Sequence, residues 1–79
     1  MTREEYANCE KVMNEAIRTA SEANKEFTKA GNCHDTTERH ILEAKAWEHR
    51  GYANGICQAL AFVGFKHKDI EKLNNLINF

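Results

Sequence analysis

The stretch DTTERHILEAKAWEHRGYANGICQALAFV, residues 35–63, decides the fold. Within it Leu42, Ala46, His49, Ala53, Ile56, Leu60 and Val63 recur at alternating spacings of four and three, the repeat of a helix that packs one narrow stripe against another helix. A helix of that span runs about 45 Å. A globule of 79 residues is narrower than this, so the rest of the chain must lie alongside. Upstream, Tyr6, Cys9, Met13, Ala16, Ala20, Ala23, Phe27 and Ala30 keep the same alternation, and Val12 and Ile17 widen the stripe. The run of alanines lets the partner helix come close, toward the short end of the roughly 8–10 Å range of interaxial distances.

The helix ends are also written in the sequence. Thr2 and Glu5 have the spacing of a capping box. Gly31 is placed to supply the left-handed residue that closes a helix, with Asn32 to His34 as the connection. Asp35-Thr-Thr-Glu38 is a second box-like start. Two long helices joined by so short a loop are antiparallel neighbours, and the absence of proline suits uninterrupted helices. After Gly64, the residues Ile70, Leu73, Ile77 and Phe79 mark a short amphipathic segment. The expected architecture is all-α. A helical hairpin of helices over residues 2–30 and 35–64, with a short C-terminal helix over 68–78, forms a single domain within an oligomeric bundle.

Composition narrows the partners. The formal net charge is −1, from 11 basic and 12 acidic residues interspersed along the chain, which removes the broad basic surface that duplex nucleic acid or an anionic membrane requires. No apolar run is long enough to span a bilayer and the first residues lack the apolar core of a signal peptide. Three widely spaced cysteines, Cys9, Cys33 and Cys57, fit a reducing compartment rather than a disulfide framework. A cytoplasmic protein is expected. A chain of this size buries only about 60% of its unfolded surface, and Tyr52, Cys57, Ala59, Ala61, Phe62 and Phe65 lie outside the seam. The C-terminal segment is expected to cover part of this surplus and a second subunit the rest, through an interface that includes Ile56, Leu60, Phe62 and Phe65. Gly51 and Gly55 have the spacing seen where helices cross closely.

Little points to catalysis. Cys33, His34 and His40 lack the paired spacing of a metal site, so neither metal nor cofactor is expected. His49 falls in the seam and reads as a hydrogen-bonded core histidine. Cys9 and Cys57 read as small apolar fillers. No nucleophile, base and orienting group form a set, and no glycine loop is built to cradle phosphate, so the chain reads as a non-enzyme.

One face does suggest binding. Thr36, His40, Glu43, Trp47, Arg50 and Asn54 step along the second helix beside the seam. The sole tryptophan stands one turn before Arg50. An indole beside a guanidinium can stack a base and hold a phosphate, and the free amides at the helix start near Thr36 and Thr37 add a place for an anion. Tyr6 and Lys11 on the first helix are further candidates. The competing reading is that Trp47 packs under the third helix or a neighbouring subunit while Arg50 pairs with Glu43 at the surface.

Asn14-Glu15 in the first helix, then Arg39, Ala44 and the pair Gly51-Tyr52, resemble the helical hairpin of small phage proteins that sequester cyclic oligonucleotide signals of bacterial immunity, the anti-CBASS and anti-Thoeris sponges. The resemblance covers roughly residues 10 to 60. It implies a non-enzymatic immune-evasion protein of the host bacterial cytoplasm, a symmetric homo-oligomer that binds cyclic di- or trinucleotides between subunits. Arg39 and Tyr52 are the motif positions with polar or stacking roles. The chain departs from that pattern at its N-terminus, which lacks a basic-aromatic segment, and at its appended C-terminal helix. A different class of function also fits the sequence: a small helical interaction protein that lays its apolar second-helix face into a groove of a host or phage protein and blocks it. A purely structural oligomer is a third.

Overall fold

Thr2 and Glu5 start the chain by exchanging hydrogen bonds, the Glu5 N–H to Thr2 Oγ1 and the Thr2 N–H to Glu5 Oε1, each 3.0 Å. In the computed structural model, which describes residues 1–78, this box opens α1, Arg3–Gly31. Asp35 opens α2, Thr36–Phe62, by accepting the Glu38 N–H at 3.0 Å. That cap is one-sided rather than the reciprocal box the spacing suggests. A shorter helix, α3, spans Ile70–Ile77. Among the described residues every regular element is helical, as the hairpin pattern requires. The helix ends differ by a residue or two from those read off the sequence, and Phe79 lies outside the described residues.

The two helix-ending glycines behave differently from each other. Gly31 does not take the left-handed conformation; it is the last residue of α1, and Asn32 caps the helix at φ −99°. The left-handed residue is Gly64, at φ 76°. There the Phe65 N–H reaches Leu60 O at 3.0 Å and the Gly64 N–H reaches Ala61 O at 3.1 Å, a Schellman ending that turns the chain sharply after α2. Gly51 and Gly55 leave α2 unbroken.

The seam is built largely of small residues. Met13, Ala16, Ala20, Ala23 and Ala30 of α1 are buried against Ala46, Ala53 and Leu60 of α2, so the helices are held by close approach of their backbones as much as by large side chains. The result is a rod with principal extents of 50 × 16 × 16 Å. Two expectations fail at its open end. Val63 is 57% exposed, because the Schellman turn ends α2 before Val63 can face α1, and Val12, expected to widen the α1 stripe, is 44% exposed beside a shallow groove.

α3 covers more than the sequence suggested. Leu60 and Phe65, assigned to an intersubunit interface, are buried within the chain in one cluster with Met13, Leu73 and Ile77. Only Phe62 of the expected interface set is left outside, 93% exposed, while Ile56 is partly buried. The Gly64 turn is the cause, since it folds Phe65 back and brings α3 onto α1 and α2. His67 seats the entry to α3. Its ring stacks on Phe65 with centroids 5.8 Å apart, its Nδ1 accepts the Asp69 N–H at 3.0 Å and its Nε2 lies 2.8 Å from Glu10 Oε2. Because Nδ1 accepts, Nε2 carries the proton and donates to Glu10. Farther along, Cys57 Sγ donates to Asn74 Oδ1 and Asn24 Nδ2 donates to Leu76 O. No helix among the described residues is long and apolar enough to cross a membrane.

Candidate functional site

Phe27, Trp47 and Arg50 meet on one side of the hairpin, toward its closed end. Phe27 comes from the α1 stripe and is partly buried. Trp47 packs edge-on against it, with ring centroids 5.1 Å apart at 83°. One turn on, the Arg50 guanidinium carbon lies 4.4 Å from the Phe27 centroid and 5.4 Å from that of Trp47, within reach of the attraction between a cation and an aromatic face. Trp47 is nevertheless 61% exposed. It does not pack under α3. Its indole is steadied along one edge and open elsewhere, which makes it a fixed apolar surface beside a permanent positive charge.

Arg50 has a structural task as well. One of its terminal amino groups donates to Asn24 Oδ1 at 3.1 Å, and Asn24 in turn donates to the Leu76 carbonyl at 3.1 Å. A single asparagine thus ties α2 and α3 to α1. The expected pairing of Arg50 with Glu43 is replaced by this chain of contacts. The Nε of Arg50 is buried without a hydrogen-bond partner, so burial against Phe27 has cost it a donor.

The remaining candidates are scattered. Arg39 turns back to the loop and donates from Nε and a terminal amino group to the Cys33 carbonyl at 3.2 and 2.7 Å. It closes the connection between the helices. Thr36 is exposed at the first turn of α2, and Lys11 is exposed on α1. Tyr52 is 54% exposed and borders a shallow depression with Arg18, Glu48 and His49. Tyr6 lies at the opposite end, its ring 5.1 Å from Phe65; along α1 it is about 31 Å from Phe27. One chain therefore brings together Trp47 and Arg50 and leaves Tyr6, Lys11, Arg39 and Tyr52 apart from them.

Two contributors were hidden in the seam pattern. Phe27 reads as a core residue by its spacing, and Asn24 carries no motif. Glu26 is the third surprise: it is a buried carboxylate, 8% exposed, 2.6 Å from His49 Nδ1. That contact supplies the partner expected for His49. Among the described residues no group of three or more His, Cys, Asp or Glu side chains is placed to hold a metal ion. No protein-family model, curated protein or solved structure matches the chain.

Proposed function

We propose that this protein is a non-enzymatic binder that sequesters a cyclic oligonucleotide signal, with Trp47 as the stacking surface and Arg50 beside it as the cation. The observation that carries the reading is a mostly exposed indole, held edge-on by Phe27 and flanked by a guanidinium. Such a pair meets the two needs of a nucleotide, a flat apolar face for the base and a charge for the phosphodiester. The hairpin resemblance at Asn14-Glu15, Arg39, Ala44 and Gly51-Tyr52 supports the same class of ligand and a phage anti-defence role in the bacterial cytoplasm. A net charge of −1 is no obstacle, because a small anion needs only a few local donors. Tyr52 projects from a different face of α2, beside Arg18 and Glu48, and Arg39 is committed to the Cys33 carbonyl, so a part for either in binding calls on a second copy.

The test is calorimetric titration of the protein against cyclic dinucleotides, cyclic trinucleotides and cyclic ADP-ribose isomers. Binding with intact ligand recovered after heat denaturation supports sequestration. Ligand recovered in cleaved form would contradict it, as would the absence of heat with every member of the set.

A second reading, a helical protein that blocks a protein partner, is favoured by the apolar end of the rod. Phe62 and Val63 are exposed there, next to a shallow groove of about 230 Å³ lined by Cys9, Val12, Ala59 and Leu60.

A further inference from the structure

We infer that the outer face of α2 pairs with the same face of a second copy, antiparallel, about a twofold axis between Gly51 and Tyr52. This goes beyond the ligand reading and stands or falls without it.

The face is the one that α1 and α3 leave uncovered. Ile41, Ala44, Glu48, Gly55, Ala59 and Phe62 are all exposed and recur at intervals of three, four and seven, so they form a continuous stripe opposite the buried Ala46, Ala53 and Leu60. Its large members are at the ends, where Ile41 is 60% and Phe62 is 93% exposed. At its centre Gly51 and Gly55, which carry no side chain, stand beside Glu48 and Tyr52. A side chain placed on Gly51 or Gly55 would meet no atom within 4 Å, so nothing inside the chain calls for glycine there. Glycine is the poorest helix former after proline, and two of them amid a 27-residue helix suit a surface that another backbone approaches closely.

The occupant follows from the order of the residues. Reversing the stripe about a point between Gly51 and Tyr52 sets Ile41 against Phe62, Ala44 against Ala59, Glu48 against Gly55 and Gly51 against Tyr52. Large residues then close both ends, and each bulky group faces a small or complementary one. That is the self-complementarity a twofold interface demands. Glu48, a charged member of the stripe, falls opposite a glycine, where its carboxylate has room to reach the rim. The chain presents 5662 Å² to solvent, above the figure of about 4,900 Å² for a compact monomer of this mass, because the hairpin is a rod of 50 × 16 × 16 Å that leaves the outer face of α2 open from Ile41 to Phe62. A standard interface takes roughly 800 Å² from each partner.

Sedimentation velocity on the whole protein at micromolar concentration should give twice the 9.1 kDa chain mass. Gly55→Leu should return it to the single-chain mass while circular dichroism shows helix content kept or raised, since leucine favours a helix and meets open space in the monomer. Orientation is read by oxidation of single-cysteine variants in which Cys9, Cys33 and Cys57 are replaced by alanine. Tyr52→Cys should cross-link to itself. Phe62→Cys should not, because its copies would be about 31 Å apart along the helices, yet it should cross-link to Ile41→Cys when the two variants are mixed. A wild-type monomer, a dimer that survives Gly55→Leu, or self-cross-linking of Phe62→Cys would each overturn the proposal.

Discussion

His49 Nδ1 lies 2.6 Å from Oε1 of Glu26, and this contact places the one buried carboxylate of the α1 seam opposite the one imidazole of the α2 seam. An ionised carboxylate only accepts, so Nδ1 must carry a proton. The pair fixes the register of the hairpin toward its closed end, where the neighbouring seam residues are alanines that would pack nearly as well one turn away. A polar pair of this kind specifies one alignment among several.

Replacing His49 by alanine leaves the Glu26 carboxylate buried without a partner. Unfolding should become easier by about 2 kcal/mol, read as a fall in Tm of roughly 8–16 °C for a domain of this size. Replacing Glu26 and His49 together by leucine should restore most of the loss. Equal losses in the single and double variants would show that the pair does not act as a unit.

The glycines should separate by sign. Gly64→Ala forces a Cβ into the left-handed region at φ 76°, and should cost about 1–2 kcal/mol although the space around it is open. Gly51→Ala should instead stabilise the single chain by about 1 kcal/mol. Chemical denaturation below the concentration of self-association checks both. Destabilisation by Gly51→Ala there would mean that the middle of α2 needs glycine for a reason inside the chain.

α3 is held chiefly by Leu73, which is fully buried. Leu73→Ala should cost about 2–5 kcal/mol and release α3 before the hairpin opens. Hydrogen exchange of the amides in residues 66–78 should then speed up while those of α1 and α2 stay protected. Uniform acceleration would show that the three helices form a single cooperative unit.

The first turn of α1 carries a pH signature. The hydrogen bond from the Thr2 backbone N–H holds the Glu5 carboxyl below its usual range, with the Thr2 hydroxyl adding to the effect. Because the folded value is depressed, the stabilisation is present above the ordinary carboxylate range and is lost as pH falls through the folded Glu5 value. Exchange of the Tyr6 amide, which donates to the Thr2 carbonyl, should accelerate in acid in the wild type when measured relative to its intrinsic exchange rate. In Glu5→Gln that acceleration should disappear.

The hairpin was legible because it rests on local signals that agree with one another. Thr2, Glu5 and Asp35 cap where their spacing says, and the alternation from Met13 to Ala30 and from Leu42 to Leu60 reports which faces are buried. Periodicity could not report how α3 returns. The left-handed turn at Gly64 depends on that residue rather than on Gly31, and both look alike in sequence. Leu60 and Phe65 consequently read as surplus apolar surface in the sequence, whereas the chain covers them itself. Trp47 and Arg50 could be placed together from their spacing along α2, but Phe27 and Asn24 come from another helix in positions that a stripe pattern assigns to the core. Arg39 looked like an anion ligand because its commitment to the Cys33 carbonyl depends on the path of the loop.

Trp47 is the sole tryptophan and its own reporter. Its fluorescence, titrated with cyclic dinucleotides, cyclic trinucleotides and cyclic ADP-ribose isomers, should be quenched saturably by at least one of them as a base stacks on the indole. Calorimetry on Trp47→Ala with that ligand should then show binding weakened by about tenfold or more, the loss of roughly 1–3 kcal/mol of stacking, with the helical spectrum unchanged. Unaltered fluorescence across the whole set, or full affinity retained in Trp47→Ala, would contradict the proposed site.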